Sequence, residues 1–133
     1  MEVQPNIIDL NWSLKALARL GNLFRRRIIH ISDGSATITI DDEQVHTARM
    51  QMLTRVCVEN ETSDYDRLRL GVLSSGLFQP HEEENNPNSD TLYWMSEEIM
   101  LGESENLRIE LTGTTADDRI SVYIIGYEAR IIT

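Results

Sequence analysis

His81, Glu82, Glu83 and Glu84 are the densest group of potential ligands in this 133-residue chain. A metal ion needs side chains that converge on one point, and consecutive residues of a loop point apart. A calcium loop of the EF-hand kind also needs its carboxylates at alternate positions around a glycine. The group therefore reads as a solvated acidic loop. Asp41, Asp42 and Glu43, like Asp117 and Asp118, read as turn residues. His30 and His46 fall at presumed strand positions with no Cys or His at metal-binding spacing, and are expected to be half-buried structural histidines. Carboxylate pairs for glycoside hydrolysis are cheap in so acidic a chain. No serine sits in a nucleophile elbow, and no glycine-rich phosphate loop precedes a helix. Cys57 is expected to pack as a small apolar residue. Trp12, Tyr65, Tyr93, Trp94, Tyr123 and Tyr127 are large enough to stack on a sugar. No catalytic constellation emerges, and neither enzyme activity, a cofactor nor a bound metal is expected.

The elements that position these residues are strands. Leu107, Ile109 and Leu111 alternate with Arg108 and Glu110, and Ile120, Val122 and Ile124 repeat the pattern after a polar turn from Gly113 to Asp117. A period of two puts one face in a core and the other in water, and the pair reads as a terminal β-hairpin. Ala36–Ile40 is rich in β-branched residues after the turn signal Ser32-Asp-Gly-Ser35. A long strand is expected around residues 50–58, with Met50, Met52, Val56 and Val58 on one face. Leu68, Leu70 and Val72 alternate again. Residues 79–90 read as one long polar loop, with short strands near Thr91–Trp94 and Ile99–Leu101. Seven or eight strands with frequent turns predict an all-β fold: a single jelly-roll-like antiparallel β-sandwich, with immunoglobulin-like connectivity the rival. Tyr123 and Tyr127 share the face opposite Ile120, Val122 and Ile124, with Ile125 between them. A strand apolar on both sides is expected to be covered on both.

Residues 1–27 are expected to form an N-terminal arm and residues 28–133 the sandwich. Within the arm, Ser13 can cap a short helix that runs to Leu20, with Gly21 ending it. Leu14, Leu17 and Leu20 make its apolar stripe. So short a helix does not persist alone in water, so it must dock on its own domain or on a neighbouring subunit. Charge is divided unevenly. The arm carries five basic and two acidic side chains, a net +3, whereas the remainder carries seven basic and twenty acidic ones, a net −13. An acidic body repels nucleic acid and anionic membrane, and no partner of either kind is expected. Arg25, Arg26 and Arg27 would instead meet carboxylates of another copy. One cysteine excludes an internal disulfide. No signal-like start or ~20-residue apolar run appears, so a protein made and kept in a reducing cytoplasm, or exported only as part of something larger, is expected. The sequons at Asn11 and Asn60 then carry no weight.

Leu101-Gly-Glu103, Asn106-Leu-Arg-Ile-Glu-Leu-Thr-Gly113 and Asp118-Arg-Ile-Ser-Val-Tyr-Ile-Ile-Gly-Tyr127 resemble a pattern of jelly-roll structural proteins of bacterial viruses, and Arg67–Leu73 is similar in kind. The resemblance covers about the last half of the chain. It implies a capsid-associated role: a cement or decoration protein, or a small coat subunit, found on the virion surface after synthesis in the host cytoplasm. Its expected partners are copies of itself, as a trimer, and the major capsid protein. It carries over no functional residue. The expected interface comprises Leu14, Leu17, Leu20, Arg25, Arg26, Arg27, Tyr123 and Tyr127. The alternative is a carbohydrate-binding β-sandwich, as a lectin-like module or a tail or receptor-binding component, using Trp94 or the tyrosines. A jelly-roll hydrolase would need a convergent acidic or histidine site.

Overall fold

A computed structural model describes residues 21–131. They form nine strands and, among the described residues, no helix: β1 (Gly21–Ile31), β2 (Thr37–Asp41), β3 (Arg49–Asn60), β4 (Arg67–Ser74), β5 (Leu77–Asn85), β6 (Tyr93–Trp94), β7 (Ile99–Leu101), β8 (Asn106–Thr112) and β9 (Arg119–Arg130). One sheet has the order β1-β9-β3-β6, with β7 also paired to β3, and the other has the order β2-β8-β4-β5. All pairings are antiparallel: β1 with β9, β2 with β8, β3 with β6 and β7, β4 with β5, and across the returning strands β9 with β3 and β8 with β4. The first four pairings nest like the two arms of one long hairpin wound over itself. With β6 and β7 counted as one interrupted strand, this is the eight-stranded jelly roll expected from the sequence.

The sheets face one another across a core of alternating apolar residues. Ile38 and Ile40 come from β2, Leu68, Leu70 and Val72 from β4, and Leu107, Ile109 and Leu111 from β8. Ile120, Val122 and Ile124 oppose them from β9. The inward residues expected for β4, β8 and β9 are the ones buried. Their expected neighbours differ. β8 and β9 do not form a hairpin, because they belong to opposite sheets and the Gly113–Asp118 connection crosses between them. Periodicity reports only which side of a strand meets the core, and two strands facing the same core from opposite sheets carry the same pattern.

Three further expectations are corrected. Residues 21–27, assigned to the arm, lie in β1 and pair in register with β9, so the sandwich begins at Gly21. The proposed helix of residues 13–20 and residues 132–133 lie outside the described residues. The supposed loop at 79–90 is largely β5, an edge strand whose exposed residues from His81 to Asn85 are charged or polar. Such edges resist adding another strand, and Pro80 is tolerated there because it owes no ladder hydrogen bond to a further neighbour. Finally, the β3–β9 register shifts between Leu53 and Arg55, leaving Thr54 as the extra residue of a β-bulge. The bulge reverses parity. Gln51 and Leu53 point inward before it and Val56 and Val58 after it, while Met50 and Met52 turn outward.

The β8–β9 crossing is held by a buried carboxylate. Asp118 accepts hydrogen bonds from Asn60 Nδ2 at 2.9 Å, Ser63 Oγ at 2.7 Å and the Thr115 backbone N–H at 2.8 Å. Burial alone would raise its pKa, but the bonds from Asn60, Thr115 and Ser63 together hold it below the ordinary aspartate value. A carboxylate depressed in the folded state stabilises the protein above its unfolded pKa and loses that contribution as pH falls through the folded one. Asp118→Asn should cost about 2 kcal/mol at pH 7, because an amide donor then faces donors. Urea denaturation at pH 7 and pH 3 should show the variant losing less stability on acidification than the parent.

Candidate docking face

The two outer faces of the sandwich differ in chemistry. On the β2-β8-β4-β5 sheet the outward residues are mostly polar, with Leu77 68% exposed at the β4–β5 turn, and several of the charged ones pair among themselves. Arg108 binds Asp41 through Nε at 2.7 Å and Nη2 at 2.8 Å, and Arg69 binds Glu83 at 2.8 Å with Arg67 at 3.7 Å. These pairs leave their mark on titration: the bond from Arg69 lowers the Glu83 pKa, and the bond to Asp41 raises that of Arg108. Such exposed pairs contribute little stability. They make a surface content in water.

The other outer face reads across the strands in rows. Leu23, Tyr127, Met52 and Met100 stand opposite one another on β1, β9, β3 and β7. Arg25, Ile125 and Arg55 form the next row, and Arg27, Tyr123, Cys57 and Trp94 the one after. Ile29, Ser121 and Glu59 follow, and Ile31 lies beside Arg119. Leu23 is 46% exposed, Met100 48% and Trp94 60%, with Ile29 and Ile31 comparably open. Two of the arginines here lie over rings, Arg27 at 5.2 Å from the Tyr123 centroid and Arg55 at 5.2 Å from that of Trp94, while Arg119 at the far end pairs with Glu61 at 2.7 Å. Arg25, Arg27 and Arg55 make no ion pair among the described residues. Apolar and aromatic side chains are thus interleaved with arginines across this face.

The expected interface residues therefore divide. Tyr123, Tyr127, Arg25 and Arg27 lie on this face. Arg26 does not, because alternation along β1 turns it inward, where Nε and Nη2 bind Asp42 at 3.1 and 2.6 Å. Its carboxylate is in its own chain, not in a neighbour. Leu14, Leu17, Leu20 and Trp12 lie outside the described residues. Leu23, Met52, Ile125 and Met100 were not singled out as interface residues. The bulge at Thr54 hid Met52, while the alternation of β1 around its arginines was the available signal for Leu23 and Ile29.

The remaining candidates scatter. His30 is half-buried in β1, but His46 lies exposed in the β2–β3 connection rather than on a strand. His81 is the residue skipped where the β4–β5 register shifts. Glu82 turns away from it and accepts hydrogen bonds from Ser96 N and Oγ. Among the described residues no three His, Cys, Asp or Glu side chains gather as a metal-ligand set. Cys57 is buried between its register neighbours Tyr123 and Trp94, and burial pushes its thiol pKa up. Tyr93 and Trp94 border a cavity of about 60 Å³ lined also by Leu68, Leu70 and Glu82–Glu84. Among the described residues, the phenol of buried Tyr65 has no hydrogen-bond partner, and burial, then Tyr93 and Glu84, raise its pKa.

No family model matches the sequence, and neither does any curated protein. Solved structures offer distant likenesses to β-sandwich proteins. A subunit of the disulfide-linked pili of Bacillus endospore appendages is 7% identical with a TM-score of 0.46, over 84% of this chain and 91% of that one. The Drosophila NLP core, described for pentamer formation and histone binding, is 10% identical with a TM-score of 0.39, over 84% and 100%. A chain of infectious bursal disease virus, Gx strain, is 9% identical with a TM-score of 0.38, over 84% and 37%. These likenesses do not bear on what the chain does.

Proposed function

We propose that this chain is a non-enzymatic structural protein that works by surface-to-surface assembly, as a cement or decoration protein on a viral shell. The observation that carries the reading is the contrast between its two outer faces. One is mostly polar and self-paired, with Leu77 exposed at its end; the other presents Leu23, Ile29, Met52, Tyr123, Ile125, Tyr127 and Met100 over the sheet. Burying such a face against another copy contributes about 25 cal/mol per Å² of apolar surface removed from water. The arginines fix orientation more than they add affinity. The viral setting rests on the resemblance of the last half of the chain to jelly-roll virion proteins, and the acidic body suits an outer position away from packaged DNA. Light scattering after size exclusion should give a closed oligomer, a trimer of the 15.3 kDa chain, and that oligomer should co-sediment with shells of the major capsid protein. A monomer that leaves the shells bare overturns the proposal.

Trp94 supports a second reading. It is the most open aromatic of the face and borders the cavity beside Glu82–Glu84, as a sugar-stacking platform would. A glycan array on the whole protein separates the two. On this second reading Trp94→Ala lowers retention about 10-fold or more, the worth of one stacked ring; an empty array removes the reading.

A further inference from the structure

The edge of a sheet presents a line of unpaired N–H and C=O groups that can take another strand, and proteins guard such edges with shortness, proline, bulges or charge. Among the described residues the sandwich has four edges, and three are guarded by their build. β2 has five residues, and β6 and β7 have two and three. β5 carries Pro80 and the register shift against β4. β1 differs. It runs for eleven residues without a proline and pairs with β9 in unbroken register from Gly21 to Ile31. On its other side it has no strand among the described residues. Its guard is charge alone. Arg26 turns inward to Asp42, but Arg25 and Arg27 stand exposed between Leu23 on one side and Ile29 and Ile31 on the other. If a second β1 paired with it about Arg26, Arg25 of each chain would meet Arg27 of the other, and like charges directly opposite repel. Carboxylates at those two positions would be attracted instead. Read antiparallel, the strand that fits is apolar-x-apolar-x-acidic-x-acidic-x-apolar. In this chain, two acidic residues two apart with apolar residues two beyond each occur only in Leu101-Gly-Glu-Ser-Glu-Asn-Leu107. Both of its leucines are fully buried in the core. The fitting strand therefore belongs to a different protein.

We propose that the outer edge of β1 takes an extended acidic segment of a partner protein as a further antiparallel strand, with two of its carboxylates on Arg25 and Arg27. The backbone ladder supplies affinity, and the alternate side chains select the partner. Strand addition here is separate from the association of copies through the outer face, and the oligomeric mass does not test it.

The test is fluorescence anisotropy on the full-length protein with the labelled peptide Val-Thr-Ile-Thr-Glu-Thr-Glu-Thr-Leu. It should bind at least about 10-fold tighter than the same peptide with lysines in place of the glutamates. Arg25→Glu together with Arg27→Glu should reverse that order, and an unchanged urea midpoint shows that this variant is folded. Ladder bonding is read separately and needs no variant. In an antiparallel pair only alternate residues of a strand bond to a given neighbour. Methylating the peptide's backbone nitrogens at one alternate set of residues should therefore abolish binding, and methylating the other set should leave it nearly intact. Equal loss from both sets overturns strand addition. So does equal binding of the two charge forms, or no binding of the acidic peptide at about 1 mM. An oligothymidylate that binds the parent as tightly as the acidic peptide, and fails on the Arg25→Glu, Arg27→Glu variant, overturns it in favour of phosphate.

Discussion

Gly71→Ala is expected to destabilise the domain by about 4 kcal/mol, far beyond an ordinary surface substitution. Gly71 sits in β4 where the pairing with β5 shifts register. A Cβ there would lie 2.0 Å from the Gln79 carbonyl oxygen and 2.6 Å from Pro80 Cα. Both obstacles are backbone, so no rotamer relieves the clash. β5 must move away as a strand, and the ladder bonds on both sides of the shift go with it. Domains of this size are stable by about 5–15 kcal/mol, so the loss is a large share of the total. Gly76→Ala is the control. Gly76 lies in the β4–β5 turn at a φ of 77°, with no atom of the described residues within 4 Å of its would-be Cβ, and should cost only the left-handed penalty of about 1–2 kcal/mol. Urea midpoints for the two variants test the difference. If they coincide, close approach at Gly71 is not what the fold requires.

The same position shows why the sequence revealed some strands and concealed others. β4, β8 and β9 were legible because each has one core face, and the alternation of Leu68 with Arg69 or Ile109 with Glu110 records it. β5 was not. It is an edge strand, and Gln79-Pro-His-Glu-Glu-Glu has the composition of a loop. What makes it a strand is tertiary: β4 supplies its partner, and Gly71 supplies the space for Gln79 and Pro80 to approach. The jelly roll itself was legible as a class through strand number and turn spacing, while the assignment of β8 and β9 to separate sheets was not. The candidate face was half legible. Tyr123, Ile125 and Tyr127 declare a second apolar side to β9, but the bulge at Thr54 shifts the parity of β3 and brings Met52 into the row with Tyr127, where the register of the strand's second half would put Leu53. One inserted residue leaves no compositional trace.

Arg26→Met should cost about 3 kcal/mol, and the reason is the carboxylate it strands. Arg26 comes from β1 and Asp42 from just beyond β2, the edge strands of the two sheets on the same side of the sandwich. Two parallel bonds, Nε to Oδ1 and Nη2 to Oδ2, close the gap between the layers. The guanidinium also stacks 4.2 Å from the Phe24 ring centroid, so its orientation is fixed from two sides. The partners are unequally buried: the Asp42 side chain is 2% exposed and that of Arg26 26%. Removing the arginine leaves an ionised group sealed from water, the costly way to break such a pair. Removing the aspartate leaves a cation that can reach solvent, so Asp42→Val alone should cost less, about 1 kcal/mol. Joining the two changes should restore most of the stability lost in Arg26→Met, since an apolar pair pays no desolvation. Denaturant unfolding of the four proteins makes the cycle. If the double variant is as unstable as the sum of the singles, Arg26 acts through its packing on Phe24 rather than through Asp42. Recovery would establish that this arginine, expected from the sequence to meet a neighbour, is engaged within its own fold.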